Sequence, residues 1–292
     1  MNQTVYYKYS IAIIVLMSFS FLDAKLLKPS KNGEKKEILI INDKRRLYYP
    51  LNQDILEYSV QGPTRLEFIS RYPVLRDKRM SHSYKYRIIL NDVDTINVKH
   101  RYKVQNSVRS VQHPKHRYTF SGNYFINLDA GQHTLRLIDN EEGKYPTLIR
   151  LLAKEFERKT KHKKVLTPMI HKSALAIESN GKTINYFEIN HGIPLQIEAK
   201  GISVLRILTR LEFSESMGQE ESYRLKVSEG NRIIGTYYFN TERSSTSQIP
   251  KRLDKVPGKW RSCEINVPKG KHLYNIEVLG KKKSILARFL MY

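Results

Sequence analysis

Apolar and polar residues alternate along most of this chain with a period of two. Leu56, Tyr58 and Val60 are separated by Glu57 and Ser59. Tyr84, Tyr86, Ile88 and Leu90 are separated by Lys85, Arg87 and Ile89. The rhythm returns in Tyr124, Ile126 and Leu128, in Leu195, Ile197 and Ala199, in Tyr223, Leu225 and Val227, and in Tyr274, Ile276 and Val278. Successive side chains of a strand point to opposite faces, so this spacing predicts strands with one buried side. Asn91-Asp92, Asn180-Gly181 and Gly230-Asn231 mark turns between them. Almost no segment carries a helical period. Many short strands divided by turns predict an all-β chain of antiparallel β-sandwich or jelly-roll type.

The pattern also repeats. Gly62-Pro63-Thr64-Arg65-Leu66-Glu67-Phe68-Ile69-Ser70-Arg71 is answered by Gly201-Ile202-Ser203-Val204-Leu205-Arg206-Ile207-Leu208-Thr209-Arg210, 139 residues on. Tyr84 and Tyr223, Gly131 and Gly270, His133 and His272, and Lys144 and Lys283 keep the same offset. A constant register over that distance predicts a tandem duplication of one domain. The expected organisation is a signal peptide at 1–24, a basic linker at 25–37, a first sandwich at 38–153, a basic connector at 154–164 and a second sandwich at 165–292. Asp129-Ala130-Gly131-Gln132-His133-Thr134-Leu135-Arg136-Leu137 and Pro268-Lys269-Gly270-Lys271-His272-Leu273-Tyr274-Asn275-Ile276 each read as a strand, a glycine turn and a returning strand. These two stretches resemble the penultimate hairpin of many carbohydrate-binding and galactose-binding-like sandwiches. The resemblance bears on the fold and names no ligand.

Composition narrows the setting. Lys and Arg number 51 against 28 Asp and Glu, a net charge of +23. That field favours anionic partners: an acidic glycan, an envelope polymer or an anionic membrane surface touched peripherally. The apolar run Ile11–Met17, extended by Phe19, Phe21 and Leu22, is too short for an ordinary membrane span and fits the core of a signal peptide. No later segment is apolar enough for a transmembrane helix. With one cysteine, Cys263, no internal disulfide can form. An exported, disulfide-free, Lys-rich chain reads as a bacterial protein of the periplasm or cell surface, and export disfavours nucleic acid as a partner.

No motif of an enzyme or cofactor site is present. The chain lacks Gly-x-Ser-x-Gly, His-Glu-x-x-His and a phosphate-cradling glycine loop. His113-Pro114-Lys115-His116 is a close histidine pair, but no carboxylate stands near it in sequence, so no metal and no cofactor are expected. The candidate ligand residues are Arg71 and Arg210, whose guanidinium forks suit carboxylate, sulfate or phosphate. Tyr84, Tyr223 and Trp260 join them as aromatic surfaces. The reading is a non-enzymatic binding protein of the cell envelope that takes an anionic glycan or polymer. The alternative is an assembly subunit that contacts another envelope protein, and an accessory module of a polysaccharide-acting enzyme comes third.

Overall fold

The computed structural model describes residues 24–51, 55–75, 77, 79–139, 144–155, 163–171, 174–281 and 283–292. The expected signal segment lies outside the described residues except for Ala24, as do residues 156–162 of the expected connector. The described residues form twenty-one strands and no helix. The chain is therefore all-β, as the alternation predicts. No described helix is long and apolar enough to cross a membrane.

Two long strand pairs carry the architecture. Leu56–Arg71 runs antiparallel to Gly122–Asp139, with Leu56 opposite Leu137 and Ser70 opposite Gly122. Leu195–Phe213 runs antiparallel to Arg261–Leu279, with Leu195 opposite Ile276 and Thr209 opposite Arg261. Each pair slips register midway, between Leu128 and Gly131 in the first and around Gly201 in the second. Such an irregularity bends a strand and sharpens its twist. Each pair therefore serves two layers. In the first half, residues 65–71 pair with Thr147–Lys154, while residues 135–139 pair with Ser81–Leu90. In the second half, residues 205–211 pair with Ile285–Met291, while residues 274–279 pair with Glu220–Glu229.

The bend depends on glycine. A Cβ on Gly62 would lie 1.9 Å from the carbonyl oxygen of Asp129. One on Gly201 would lie 1.8 Å from the carbonyl oxygen of Pro268. Both carbonyls are backbone, so neither can swing aside. That contact explains why this glycine is kept where the repeat is otherwise loose.

Between the layers lie two hydrophobic cores. One gathers Tyr58, Leu66, Phe68, Tyr86, Ile88, Ile126 and Leu137 with neighbours from residues 49–151. The other gathers Ile197, Leu205, Ile207, Tyr223, Leu225, Cys263 and Phe289 with neighbours from residues 187–289. They exchange one aromatic each: Phe125 enters the second core and Tyr238 the first. This exchange follows from a parallel pairing of residues 124–126 with 236–238. Phe125 stacks on Tyr237 with centroids 4.5 Å apart and covers Gly235. Glu264 adds a polar tie, 3.8 Å from Arg65 of the first half and 3.7 Å from Arg206 of the second.

The offset of the repeat carries into the buried polar groups. Ser70 Oγ lies 3.1 Å from the Tyr84 hydroxyl and donates to the carbonyl of Gly122 at 3.2 Å. Thr209 Oγ1 lies 2.7 Å from the Tyr223 hydroxyl and donates to the carbonyl of Arg261 at 3.4 Å. Arg71 Nη1 donates to the carbonyl of Thr119 at 2.6 Å, and Arg210 Nη1 to that of Gly258 at 2.8 Å. Every partner in the second set stands 139 residues after its counterpart.

Two predictions follow from this packing. His100 is buried between Tyr84 and Tyr102, at centroid distances of 5.3 and 5.6 Å, and burial pushes its pKa down to about 4. A histidine in the unfolded chain takes up its proton near pH ~6.5. Between these values the unfolded state binds more protons, so stability falls as pH falls from ~6.5 to ~4, by about 3 kcal/mol in all. Thermal unfolding across that range should show this loss in the native chain and a flatter profile in His100→Phe; equal slopes would refute the assignment. Separately, Gly201→Ala should lose about 2–3 kcal/mol or more in chemical denaturation, because the clash cannot relax through a side chain. Gly218→Ala is the control, since its added carbon meets nothing closer than 3.6 Å. If both variants unfold at the native midpoint, the close approach does not constrain the bend.

Candidate basic groove

A groove of about 980 Å³ opens on the outer face of the second half. Its floor is the pair Leu195–Phe213 and Ile285–Met291, which sets Leu208 opposite Arg288 and Arg206 opposite Leu290. The inward residues of these strands, such as Ile207 and Phe289, fill the core. Alternation therefore turns Arg206, Leu208, Arg210, Arg288 and Leu290 to the other face. One wall is the hairpin of Ala174–Ser179 and Lys182–Ile189, which supplies Ser179, Asn180, Lys182, Ile184 and Tyr186. The other wall is the segment around Ser244–Thr246 and Lys259–Ser262. Asn127 and Asp129 reach in from the first half, and the Asn127 amide donates to the carbonyl of Ser262 at 3.1 Å.

The lining is strongly cationic. Among the described residues it holds seven Lys or Arg, including Lys163, Lys182, Arg206 and Arg288, against one acidic side chain, that of Asp129. Asp129 lies 4.0 Å from Arg261, and Lys259 is engaged by Glu242. Among the described residues no carboxylate pairs with Lys182 or Arg288. Low-dielectric walls around charges of one sign focus the field into the cleft.

Trp260 is the exposed aromatic of the groove, 46 % accessible. The Arg206 guanidinium sits 5.8 Å from its ring centroid. Arg206 is held from behind by Ser262 Oγ, at 3.3 Å from Nε and 3.1 Å from Nη2. A planar cation beside an indole face, both fixed by neighbours, offers a stacking surface for a ring and a fork for an anion. A run of hydroxyls continues along the wall: Arg210 Nη1 donates to Ser247 Oγ, and Ser247 Oγ donates to Ser179 Oγ at 2.8 Å.

Of the sequence candidates, the structure brings Trp260 and Arg210 into this groove. Arg71, Tyr84 and Tyr223 are corrected. Arg71 is buried and spends Nη1 on Gln105 and on the carbonyl of Thr119. The hydroxyls of Tyr84 and Tyr223 close the internal contacts with Ser70 and Thr209. None of these three can touch a ligand without opening the sheet. Even Arg210 is nearly buried, so it supports the floor rather than projecting from it.

Arg206, Arg288, Lys182 and Tyr186 are absent from the sequence candidates. One signal does mark Arg206. At its place in the first copy stands Glu67, a reversal of charge within the best-matched stretch of the repeat. Glu67 is paired there with Lys154.

The chemistry available elsewhere is limited. Burial pushes the Cys263 thiol up to about 12, so it is no nucleophile at neutral pH. Glu188 and Glu212 lie close together, but Arg252 bridges them at 2.8 Å and Ser284 donates to both. The hydrogen bond from Arg252 holds the Glu188 carboxyl below its ordinary range, which is opposite to what a general acid needs. His133 and His272 brace their hairpins, with His133 Nε2 3.0 Å from the carbonyl of Asp129 and His272 Nδ1 2.7 Å from Glu229.

No protein-family model matches the chain, and no curated protein does. Among solved structures, the N-terminal CBM22-1-CBM22-2 tandem domain of Paenibacillus barcinonensis Xyn10C is 11% identical, covering 92% of this chain and 91% of that one at a TM-score of 0.23. The complex of plant peptide RALF23 with FER and LLG2 aligns at 9% identity over 94% of this chain and 89% of that one, at a TM-score of 0.23. Tripeptidyl peptidase 2 aligns at 10% identity over 90% of this chain and 23% of its own, at a TM-score of 0.25. TM-scores this low do not establish a shared fold, and the functional reading stands on the groove.

Proposed function

We propose that this chain is an exported, non-enzymatic binding protein of the cell envelope that holds an anionic glycan or polymer in the basic groove. In this reading the two halves are tandem copies of one jelly-roll-like β-sandwich. The N-terminal apolar run carries export to the periplasm or cell surface. The second copy supplies the ligand site, and the first closes one end of it.

One observation carries the reading: an exposed indole and a fixed guanidinium share a cleft lined by cations in large excess. A glycan with carboxylate, sulfate or phosphate groups matches both parts. Its ring stacks on Trp260, and its anionic group meets Arg206 or Arg288 in the fork geometry that arginine favours. The hydroxyls and amides along the wall suit sugar hydroxyls. The groove is open to solvent and walled by several separate segments, which fits a polymer laid across it better than a small molecule enclosed. The carboxylates that could have served hydrolysis, Glu188 and Glu212, are bridged by Arg252 and do not line the groove.

Binding of the full chain to acidic polysaccharides such as polygalacturonate and heparin tests this, with dextran as the neutral comparison, at low salt and at about 0.5 M salt, where exposed charges are largely screened. Saturable binding to an acidic polymer that survives high salt is expected. Trp260→Ala should weaken it about three- to tenfold, in line with ~0.5–1.5 kcal/mol for an aromatic contact. Arg206→Gln should weaken it further, and Arg71→Gln should change stability but not the affinity of the folded fraction. Binding that disappears at high salt and is the same in Trp260→Ala would reduce the interaction to a general field and overturn the proposal.

A further inference from the structure

We infer that Glu37, His113 and His116 form a site for one divalent transition-metal ion of the zinc class, independent of the basic groove. The donors come from two parts of the chain that are far apart in sequence. Glu37 opens the strand Glu37–Ile41, and the histidines bracket a tight turn at residues 113–116. One ligand atom from each lies within 4.8 Å of the other two. His113 Nδ1 and Glu37 Oε1 are already 3.3 Å apart. Around a tetrahedral ion with nitrogen and oxygen donors at ~2.0–2.2 Å, ligand atoms stand about 3.4 Å apart. The third donor therefore needs to close by no more than about 1.4 Å, the scale of a side-chain rotation.

The surroundings are built to hold this geometry. The backbone of Val111 donates to the carbonyl of Ile38 at 3.0 Å, and the Gln112 side chain accepts from the backbone of Ile38 at 2.9 Å. These bonds fasten the histidine loop along the strand that carries Glu37. The backbone of His113 donates to Ser110 Oγ at 2.9 Å, and that of His116 to the carbonyl of His113 at 3.0 Å, which fixes the turn. The two imidazoles stack with centroids 4.9 Å apart, and Tyr145 closes on His116 from the side at 5.1 Å. Tyr118, itself buried, donates its hydroxyl to Glu37 Oε1. A ligating carboxylate oriented by an outer hydrogen bond is the usual second layer of a metal site.

A second observation points the same way. Glu37 is 5 % exposed, and among the described residues no Lys or Arg pairs with it. In a chain with a net charge of +23, a buried carboxylate without a permanent cation is conspicuous. Buried charges are ordinarily paired or bound to metal. Two imidazoles and one carboxylate suit zinc, copper or nickel rather than calcium or magnesium. His113 is half exposed, so the fourth position faces solvent and is completed by water. The ion would add a clamp between the histidine loop and the strand Glu37–Ile41. The absence of a nearby carboxylate in sequence, which argues against metal there, fails because the fold delivers Glu37 from 76 residues upstream of His113.

The test is titration of the untagged full chain with Zn2+ by calorimetry, and with Co2+ by its visible absorption, which reports coordination geometry. One equivalent is expected at micromolar concentration, with Co2+ bands of four-coordinate type and a Tm that rises with Zn2+ by mass action. His113→Ala lies at the surface and should fold normally, yet lose at least tenfold in affinity together with the Co2+ bands. His116→Ala and Glu37→Gln should do the same, with folding checked by circular dichroism. Acidic-polysaccharide binding should be unchanged in His113→Ala, which separates this site from the groove. No stoichiometric binding, or binding that persists unchanged in His113→Ala and His116→Ala, would overturn the inference.

Discussion

The structure depends on one steric fact: two long strands cross so closely at their midpoint that a methyl group has no room there. At Gly62 and at Gly201 the opposing carbonyl occupies the place of a side chain. The bend that results lets a single strand pair belong to both layers, so the layers need no separate connection across the core. It also fixes the rest of the register. Beyond the shift Thr64 faces Leu128, so Ser70 faces Gly122, and the hydroxyl of Tyr84 finds Ser70. The second half repeats the consequence with Gly201, Thr209 and Tyr223.

The arginines that follow these hydroxyls show why a conspicuous residue need not be a binding residue. Arg71 ends its strand and Arg210 lies three residues before the end of its own, and a buried guanidinium cannot shed its proton. It must be met by acceptors, and here backbone carbonyls of Thr119 and Gly258 meet it, with Gln105 or Ser247 beside them. The segment after the long loop is thereby pinned to the sheet. Lys259, Trp260 and Arg261 follow on the pinned Gly258, so an internal hydrogen bond of the fold sets the position of the groove wall.

Much of this was legible in the sequence, and the failures have a common cause. Alternation found the strands because each has one face on a core, and Tyr84, Ile88, Leu135 and Leu225 all bury as their spacing requires. The repeat found the paired positions because the close crossing tolerates only glycine. What alternation cannot give is which outward face is covered and which is open. Arg206, Leu208 and Arg288 look like ordinary outward residues of strands. Glu37 and His113 lie far apart in the chain, and only the lateral pairing of the loop with Glu37–Ile41 joins them. Arg71 and Tyr84 were misplaced because a residue matched in two copies reports a shared structural need as readily as a shared ligand.

The same reasoning explains why two similar halves give one groove. On the outer face of the first half, Ile69 packs with Leu39, Tyr48, Val108, Tyr118 and Leu148 into a small separate core, closed by the strand Glu37–Ile41 and the segment around Tyr118. Its counterpart Leu208 lines open space. The corresponding small core in the second half gathers Leu175, Ile177, Tyr186, Ile249 and Leu286 and does not include Leu208. Charge follows the difference. At the position of Glu67 the second half carries Arg206, held by Glu264, and Glu264 is shared with Arg65 of the first half. Arg206 of the cationic floor thus leans on the contact between the halves. Separation of the halves would strip Arg206 of part of its support and remove Asn127 from Ser262, so the groove belongs to the paired structure and not to the second half alone.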